Sequence, residues 1–200
     1  FMKAARSPFT EADSILAELD GKADHVLVDF HAEATSEKVA MGWHLDGRVT
    51  AVVGTHTHVP TNDARVLPGG TAYITDVGMT GARGGVIGMK KEQSIAVMRT
   101  HMPMRYDSAD EDPWINAVLI RTSAPRRADS IEQAVVEGNR WLGYAALALV
   151  LAVFMRTERA MLAAFAPGAI QAGKELVIVY AGTVYAQRIE IRPEDVAAWR

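Results

Sequence analysis

Short apolar segments of strand length alternate with amphipathic segments of helix length in the N-terminal part of the chain. Helices are predicted over 10–21 and 37–45, because apolar residues recur there at helical spacing and a glycine stands at or just after the end of each segment. Strands are predicted over 25–30 and 49–53, because both runs are short and mostly apolar, as in strands buried on both faces. This alternation predicts an α/β layered domain, in which ligands gather beyond the carboxyl ends of the strands.

Three histidines directly follow these two predicted strands. His31 comes after the first strand, and His56 and His58 come after the second. One intervening residue places His56 and His58 on the same side of an extended chain. A lone His-x-His pair is also found among exposed or hydrogen-bonded histidines, but three imidazoles on one rim indicate a site for a borderline metal ion such as iron or zinc. The remaining histidines, His25, His44 and His101, lack this placement and are interpreted as structural or exposed.

Four other residues near these strand ends are candidates for supporting the site or lining a substrate loop. Asp29 either accepts a hydrogen bond from a histidine N–H or caps a loop at the strand end. Glu33 either orients a metal ligand or begins the following helix, where a negative charge is favourable, and we favour the helix start. Thr57 lies between His56 and His58, and Asp76 either contacts the site or holds a turn, the turn being slightly favoured.

The charge balance and the absence of cysteine exclude several classes of function. The chain has 200 residues and a net charge of -3 with scattered charges, so no basic stripe would follow a nucleic-acid polymer. Without cysteine it forms no disulfide or thiolate zinc site, and a metal must be bound by His, Asp, Glu or Asn. The lack of cysteine suits a reducing compartment and no basic-then-apolar leader follows Phe1, so a cytoplasmic location is predicted.

The C-terminal part of the chain differs from the N-terminal part in composition and is treated as a separate region. Residues 1–128 are predicted to form one domain and residues 129–200 an unassigned extension. Ser130 with Gln133 predicts a helix start, and the composition of 176–191 predicts a β-hairpin. Residues 141–155 form an uncharged, mostly apolar run that is shorter than the roughly 20 residues needed to span a bilayer. A buried helix is therefore favoured there over a membrane anchor.

Four stretches of sequence resemble a known family. VDFHAEATSEK at 28–38 and VGTHTHV at 53–59 contain the three histidines, and LPGGTAYITDVGMTG at 67–81 and VIGM at 86–89 follow them. Together they resemble the YmdB-like family of calcineurin-type metallophosphoesterases. The resemblance extends from residue 1 to about residue 123, and residues after about 128 resemble nothing in that family.

The resemblance implies a fold, a reaction and a cofactor. The fold would be a partial calcineurin-like metallophosphoesterase sandwich, an α/β arrangement of two sheets flanked by helices. The reaction would be hydrolysis of small phosphodiesters, with 2',3'-cyclic nucleotides as the expected substrate class, by a hydroxide at a dinuclear centre. The two metal ions would be iron or manganese, with zinc or magnesium as alternatives, and His31, His56 and His58 match the family's metal ligands. A homo-oligomer is compatible with this reading.

The chain departs from the family pattern in two places. Motifs that supply an Asp, a Glu, Asn ligands and the general-acid histidine belong upstream of Phe1, so the resemblance implies that this chain is a fragment that hydrolyses poorly alone. Residues 82–85, Ala-Arg-Gly-Gly, replace a proline and a bulkier polar stretch, which leaves the substrate preference open. The alternative function is a catalytically silent fragment or scaffold, tethered to a membrane through residues 141–155.

Overall fold

A computed structural model describes residues 6–137, 176–181 and 183–184 of the chain. The elements in chain order are α1 (Pro8–Glu18), β1 (Leu27–His31), α2 (Thr35–Leu45), β2 (Ala51–Thr55), β3 (Arg65–Val66), β4 (Ala72–Ile74), β5 (Met79–Ala82), α3 (Lys91–Thr100), β6 (Pro113–Thr122), β7 (Ser130–Glu137), β8 (Leu176–Ala181) and β9 (Thr183–Val184). The four predicted N-terminal helices and strands correspond to α1, β1, α2 and β2, with small shifts at their ends.

The first sheet has the strand order β1-β2-β4-β3. Strands β1, β2 and β4 are parallel, and the short edge strand β3 is antiparallel to β4. Every residue of β2 is buried, which agrees with its mostly apolar sequence. Because β1 and β2 are parallel neighbours, their carboxyl ends lie at the same edge of the sheet, with His31 at the end of β1 and His56 directly after β2.

The second sheet has the strand order β7-β6-β5-β9, and β8 also pairs with β6. Apolar side chains from β2 and β4, including Val53 and Ile74, pack with Val118 and Ile120 of β6 in one buried cluster between the sheets. On its other face the first sheet forms a second buried cluster with α1 and α2, whose members include Val52, Tyr73, Leu16, Met41 and Leu45. The predicted α/β sandwich of two sheets with flanking helices is therefore confirmed.

One predicted element is wrong and others lie beyond the described residues. Ser130 begins a strand, not a helix, because β7 pairs with β6 along its whole length and Ile131 packs against the core between the sheets. This strand starts just after the predicted domain boundary at residue 128, which stays a prediction. In the predicted hairpin region, β8 pairs with β6 and β9 with β5. The apolar run at 141–155 lies outside the described residues.

None of the helices within the described residues combines the length and the apolar character that crossing a bilayer requires.

Candidate metal centre

The parallel pairing of β1 and β2 brings two of the predicted histidines to one place. His31 is the last residue of β1 and pairs in register with Thr55, the last residue of β2. His56 is the next residue along the chain, and the chain leaves the extended conformation there, with a φ angle of 109°. The sheet edge at which these strands end is the expected location for a ligand site in an open α/β sheet.

The imidazoles of His31 and His56 face each other closely. His56 Nδ1 is 2.9 Å from His31 Nε2. The ring centroids are 4.8 Å apart and the ring planes are nearly perpendicular, at 83°. Two nitrogen ligands about 2.1 Å from one ion and at right angles to each other would be about 3 Å apart, so this spacing fits two neighbouring ligands of one metal ion.

His58 occupies a different position from the other two histidines. Its Nδ1 lies 3.3 Å from the carbonyl oxygen of Ile87, in the turn where Val86 and Met89 are joined by two backbone hydrogen bonds. Within 6–137, 176–181 and 183–184, no group of three or more His, Asp or Glu side chains is placed to hold a metal ion. The structure thus brings His31 and His56 together, and the three-histidine ligand set stays a prediction.

The backbone of residues 56–58, called the histidine loop below, adopts an unusual conformation. The φ angle is 109° at His56 and 67° at His58, in the region that non-glycine residues rarely occupy. Such residues cost of order 1–3 kcal/mol each and persist when the surrounding structure fixes them, most often at functional sites. The loop is therefore held in place by contacts that outweigh this cost.

Two of the three predicted supporting carboxylates, Glu33 and Asp29, lie close to the histidine pair. Glu33 Oε2 is 2.6 Å from His56 Nε2, and Glu33 precedes α2 without capping it, since the N-cap residue is Ala34. Asp29 Oδ1 accepts a hydrogen bond of 2.8 Å from the Thr55 hydroxyl, which in turn lies 3.0 Å from His31 Nδ1. Glu33 thus contacts a histidine directly, whereas Asp29 is connected to His31 through Thr55.

Asp76 anchors the histidine loop from beneath and also holds a turn. Its Oδ2 accepts hydrogen bonds from the Thr57 amide at 3.0 Å and the Thr57 hydroxyl at 2.8 Å. Its Oδ1 accepts a hydrogen bond of 2.9 Å from the amide of Gly78. Asp76 therefore holds a turn, as was slightly favoured, and it contacts the loop between His56 and His58 through Thr57, while a role in the site itself stays a prediction.

Lys38 is a residue of this region that the sequence analysis did not single out. Its ammonium group lies 2.8 Å from Asp76 Oδ2 and donates to the carbonyl of Thr55 at 3.2 Å. Both charged side chains are 1% exposed. The signal is present in α2, because Lys38 shares its buried face with Met41, Gly42 and Leu45, and a lysine on a buried face requires a partner.

The hydrogen bonds to Asp76 make the fold sensitive to acid. Burial raises the pKa of Asp76, but hydrogen bonds from Lys38, Gly78 and Thr57 outweigh it and hold the pKa below its ordinary value of 3.8. The pKa of Asp63 is lowered in the same way, because hydrogen bonds from Thr61 and Thr75 outweigh the effect of burial. Both carboxylates therefore bind protons less readily in the folded chain than in the unfolded chain.

We expect this difference to destabilise the chain at low pH. A carboxylate with a depressed pKa stabilises the fold fully above its unfolded pKa and loses that contribution as the pH falls through its folded pKa. Urea unfolding of the full chain should therefore change little for these groups down to about pH 5 and shift to lower urea below about pH 4. The Asp76→Asn variant should show a smaller acid shift, with Asp63 accounting for part of what remains. An equal shift in both proteins would contradict this assignment.

The other three histidines lie away from the pair. His44 Nε2 is 2.9 Å from Asp13 Oδ1, an atom that also contacts Arg48. His101 caps the carboxyl end of α3 in a left-handed conformation. His25 Nδ1 is 3.5 Å from the Thr50 hydroxyl. These contacts agree with the structural or exposed roles expected for them.

Comparison with known proteins places this arrangement in a family. The chain is 46% identical over 140 residues to the 2',3'-cyclic-nucleotide 2'-phosphodiesterase of Bacillus subtilis, a match that covers 70% of this chain and 53% of that protein. Two crystal structures are also similar. A hypothetical protein from Thermus thermophilus has 45% identity and a TM-score of 0.64, with 70% of this chain and 54% of that chain covered. A phosphatase from Mycoplasma pneumoniae has 37% identity and a TM-score of 0.61, with 66% and 47% covered.

The matches cover different shares of this chain and of its relatives. The chain spans about half the length of two curated relatives: the matched region covers 70% of this chain in both cases, and 53% and 50% of those proteins. The family model described as YmdB-like protein matches residues 1–134, which include β1, β2 and the whole histidine loop. On this match, the chain belongs to the YmdB-like family.

Proposed function

We propose that this chain supplies one part of a metal centre that hydrolyses small phosphodiesters, with 2',3'-cyclic nucleotides as the substrate class. The observation that carries the proposal is the pair of imidazole nitrogens 2.9 Å apart at the ends of two parallel strands. The similarity to a 2',3'-cyclic-nucleotide 2'-phosphodiesterase supports the choice of substrate. Because the chain spans about half of that relative, the remaining ligands are proposed to lie in sequence that this chain does not contain.

Each residue of the pair has a defined part in this proposal. His31 Nε2 and His56 Nδ1 would hold a metal ion, and His58 would be a further ligand, as the family resemblance implies. Iron and manganese are the first candidates, with zinc and magnesium as alternatives, and imidazole suits the borderline ions among them. Two metal ions bound side by side at this site would lower the pKa of a bound water molecule and neutralise charge on the phosphate oxygens.

The remaining residues would position this machinery. Glu33 would hold the His56 ring through its contact with Nε2. Asp76 would fix the loop that carries His56 and His58, since it accepts hydrogen bonds from both the amide and the hydroxyl of Thr57. Hydrolysis of a 2',3'-cyclic phosphate would form a bond between a water oxygen and phosphorus, break one ester P–O bond and leave a proton on the freed ribose oxygen.

The metal-binding part of the proposal is tested by metal content. The full chain is loaded with Mn²⁺, dialysed and analysed, alongside the His31→Ala/His56→Ala double variant. We expect the double variant to lose at least about 10-fold in Mn²⁺ affinity, because both nitrogens of the pair are removed. His44→Ala is the matched control, since His44 belongs to the ion-paired cluster with Asp13 and should leave Mn²⁺ binding unchanged. Equal metal content in the wild type and the double variant would refute the ligand assignment.

A second candidate function is a catalytically silent scaffold that keeps this part of the fold. It is favoured by the finding that, in the described part of the chain, no three His, Asp or Glu side chains are arranged so that they could hold a metal ion together. Turnover of 2',3'-cyclic AMP and of bis(p-nitrophenyl) phosphate by the Mn²⁺-loaded chain separates the two functions. Hydrolysis that disappears in the double variant supports the phosphodiesterase, whereas bound metal without hydrolysis supports the scaffold.

A further inference from the structure

Thr55 lies between a carboxylate and a histidine at the end of β2. Its side chain is almost completely buried, at 1% exposure. Its hydroxyl oxygen is 2.8 Å from Asp29 Oδ1 and 3.0 Å from His31 Nδ1. The parallel register fixes this arrangement, because Thr55 stands opposite His31 and Asp29 is two residues earlier on the same strand as His31.

Counting hydrogens assigns a direction to each contact of Thr55. A hydroxyl carries a single hydrogen, and an ionised carboxylate only accepts hydrogen bonds. The Thr55 hydrogen is therefore donated to Asp29, and the Thr55 oxygen must accept a hydrogen bond from His31. His31 consequently carries its proton on Nδ1, which leaves the lone pair of the neutral ring on Nε2.

The same reasoning applies to His56 from the opposite side. Glu33 Oε2 is 2.6 Å from His56 Nε2 and only accepts hydrogen bonds, so Nε2 carries the proton. The lone pair of the neutral His56 ring is then on Nδ1, which faces His31 Nε2 at 2.9 Å. Two carboxylates, one acting through a hydroxyl and one directly, thus turn two lone pairs toward each other. Facing lone pairs at this distance repel each other unless a proton or a metal ion lies between them.

We propose that Thr55 is a positioning residue that connects Asp29 to His31, fixes the Nδ1–H tautomer and leaves Nε2 available to a cation. The inference rests on the proposed function for the identity of that cation, but the tautomer itself does not depend on it. A histidine ligand that donates its other N–H to an oriented acceptor is held in the binding orientation and is more basic. Loss of such an outer contact costs 10- to 100-fold in metal affinity in known metal sites.

The test compares two substitutions of Thr55 in the full chain. Thr55→Val keeps the branched shape but removes the hydroxyl, whereas Thr55→Ser keeps the hydroxyl. Long-range ¹H–¹⁵N NMR of the metal-free chain, at a pH where the rings are neutral, reports which nitrogen of His31 is protonated. We expect the Nδ1–H tautomer in the wild type and in Thr55→Ser, and a mixture of tautomers in Thr55→Val. Mn²⁺ affinity should fall about 10- to 100-fold in Thr55→Val and be restored in Thr55→Ser.

Two further variants keep the outcome interpretable. Asp29→Ala removes the acceptor at an exposed position, so the Thr55 hydroxyl can turn toward His31 and the tautomer should shift even if Thr55→Val folds poorly. Thr80→Val removes another buried hydroxyl, one that bonds the Asn116 carbonyl, and should leave His31 and Mn²⁺ binding unchanged.

The possible results distinguish this inference from the proposed function. An unchanged His31 tautomer in both Thr55→Val and Asp29→Ala overturns the role of Thr55. The expected tautomer shifts in a chain whose wild type does not bind Mn²⁺ would support the role of Thr55 while contradicting the proposed metal centre. A fall in Mn²⁺ affinity equal in Thr55→Val and Thr55→Ser would show that shape matters there and not the hydroxyl, which also overturns it.

Discussion

Replacing Gly54 with alanine is expected to lower the free energy of unfolding by about 3 kcal/mol, the upper end of the usual cost of overpacking. A Cβ atom at this position would lie 1.7 Å from the carbonyl oxygen of Thr75 and 2.8 Å from Cδ of Lys38. The carbonyl belongs to the backbone that follows β4, so it can move only if the pairing of β2 and β4 is disturbed. Gly54 is therefore required for the close approach of two backbone segments directly before the histidine loop.

Urea unfolding of the full chain measures this effect, with Gly81→Ala as the matched control. Gly81 lies in β5, and the nearest atom to a Cβ there is the Met79 Cε at 3.9 Å, an ordinary contact. The control should unfold close to the wild-type urea concentration. The steric argument fails if Gly54→Ala and Gly81→Ala unfold at the same concentration.

Replacing Lys38 with methionine is expected to cost about 3 to 5 kcal/mol of stability, because it leaves the buried carboxylate of Asp76 without its counter-charge. The two groups are 2.8 Å apart and each is 1% exposed. Methionine matches the length and most of the volume of the lysine chain, so the loss is mainly electrostatic. Asp76 would keep its hydrogen bonds from Thr57 and Gly78, and its pKa should rise toward or above its ordinary value.

The matched control is the exposed ion pair between Lys91 and Glu111, whose nitrogen and oxygen are also 2.8 Å apart. Solvent screens that pair, so Lys91→Met should change the urea midpoint little. Lys38→Met should in addition loosen the loop that Asp76 anchors, which is visible as faster amide exchange at Thr57. Equal midpoints for the two variants would mean that the buried pair is not a major source of stability.

Both predictions concern the support of the histidine loop and not its chemistry. Gly54 lets β2 approach the chain beyond β4, and Lys38 joins the Thr55 carbonyl to Asp76. Together with the Thr57 contacts, they explain how residues with φ angles of 109° and 67° persist at His56 and His58. A defect in either support should therefore disturb the spacing of the His31 and His56 nitrogens.

The N-terminal elements could be predicted because their signals are local. The short, mostly apolar run of β2 and the amphipathic pattern of α2 each specify their own conformation. The strand at Ser130 could not be predicted in this way, since its capping-like residues favoured a helix while the ladder with β6 decided the outcome. Pairing between segments far apart in sequence overrides weak local preference.

The same distinction between local sequence signals and long-range packing applies to the candidate site. The location of His31, His56 and His58 near strand ends is predictable from the amino-acid sequence, because the extent of the apolar runs shows where the strands end. Three contacts are visible only in the folded chain: His31 faces His56 at 2.9 Å, Asp29 bonds the Thr55 hydroxyl, and Lys38 pairs with Asp76. These contacts depend on the register between strands and on which face of α2 is covered, and such relations arise when separate segments pack together.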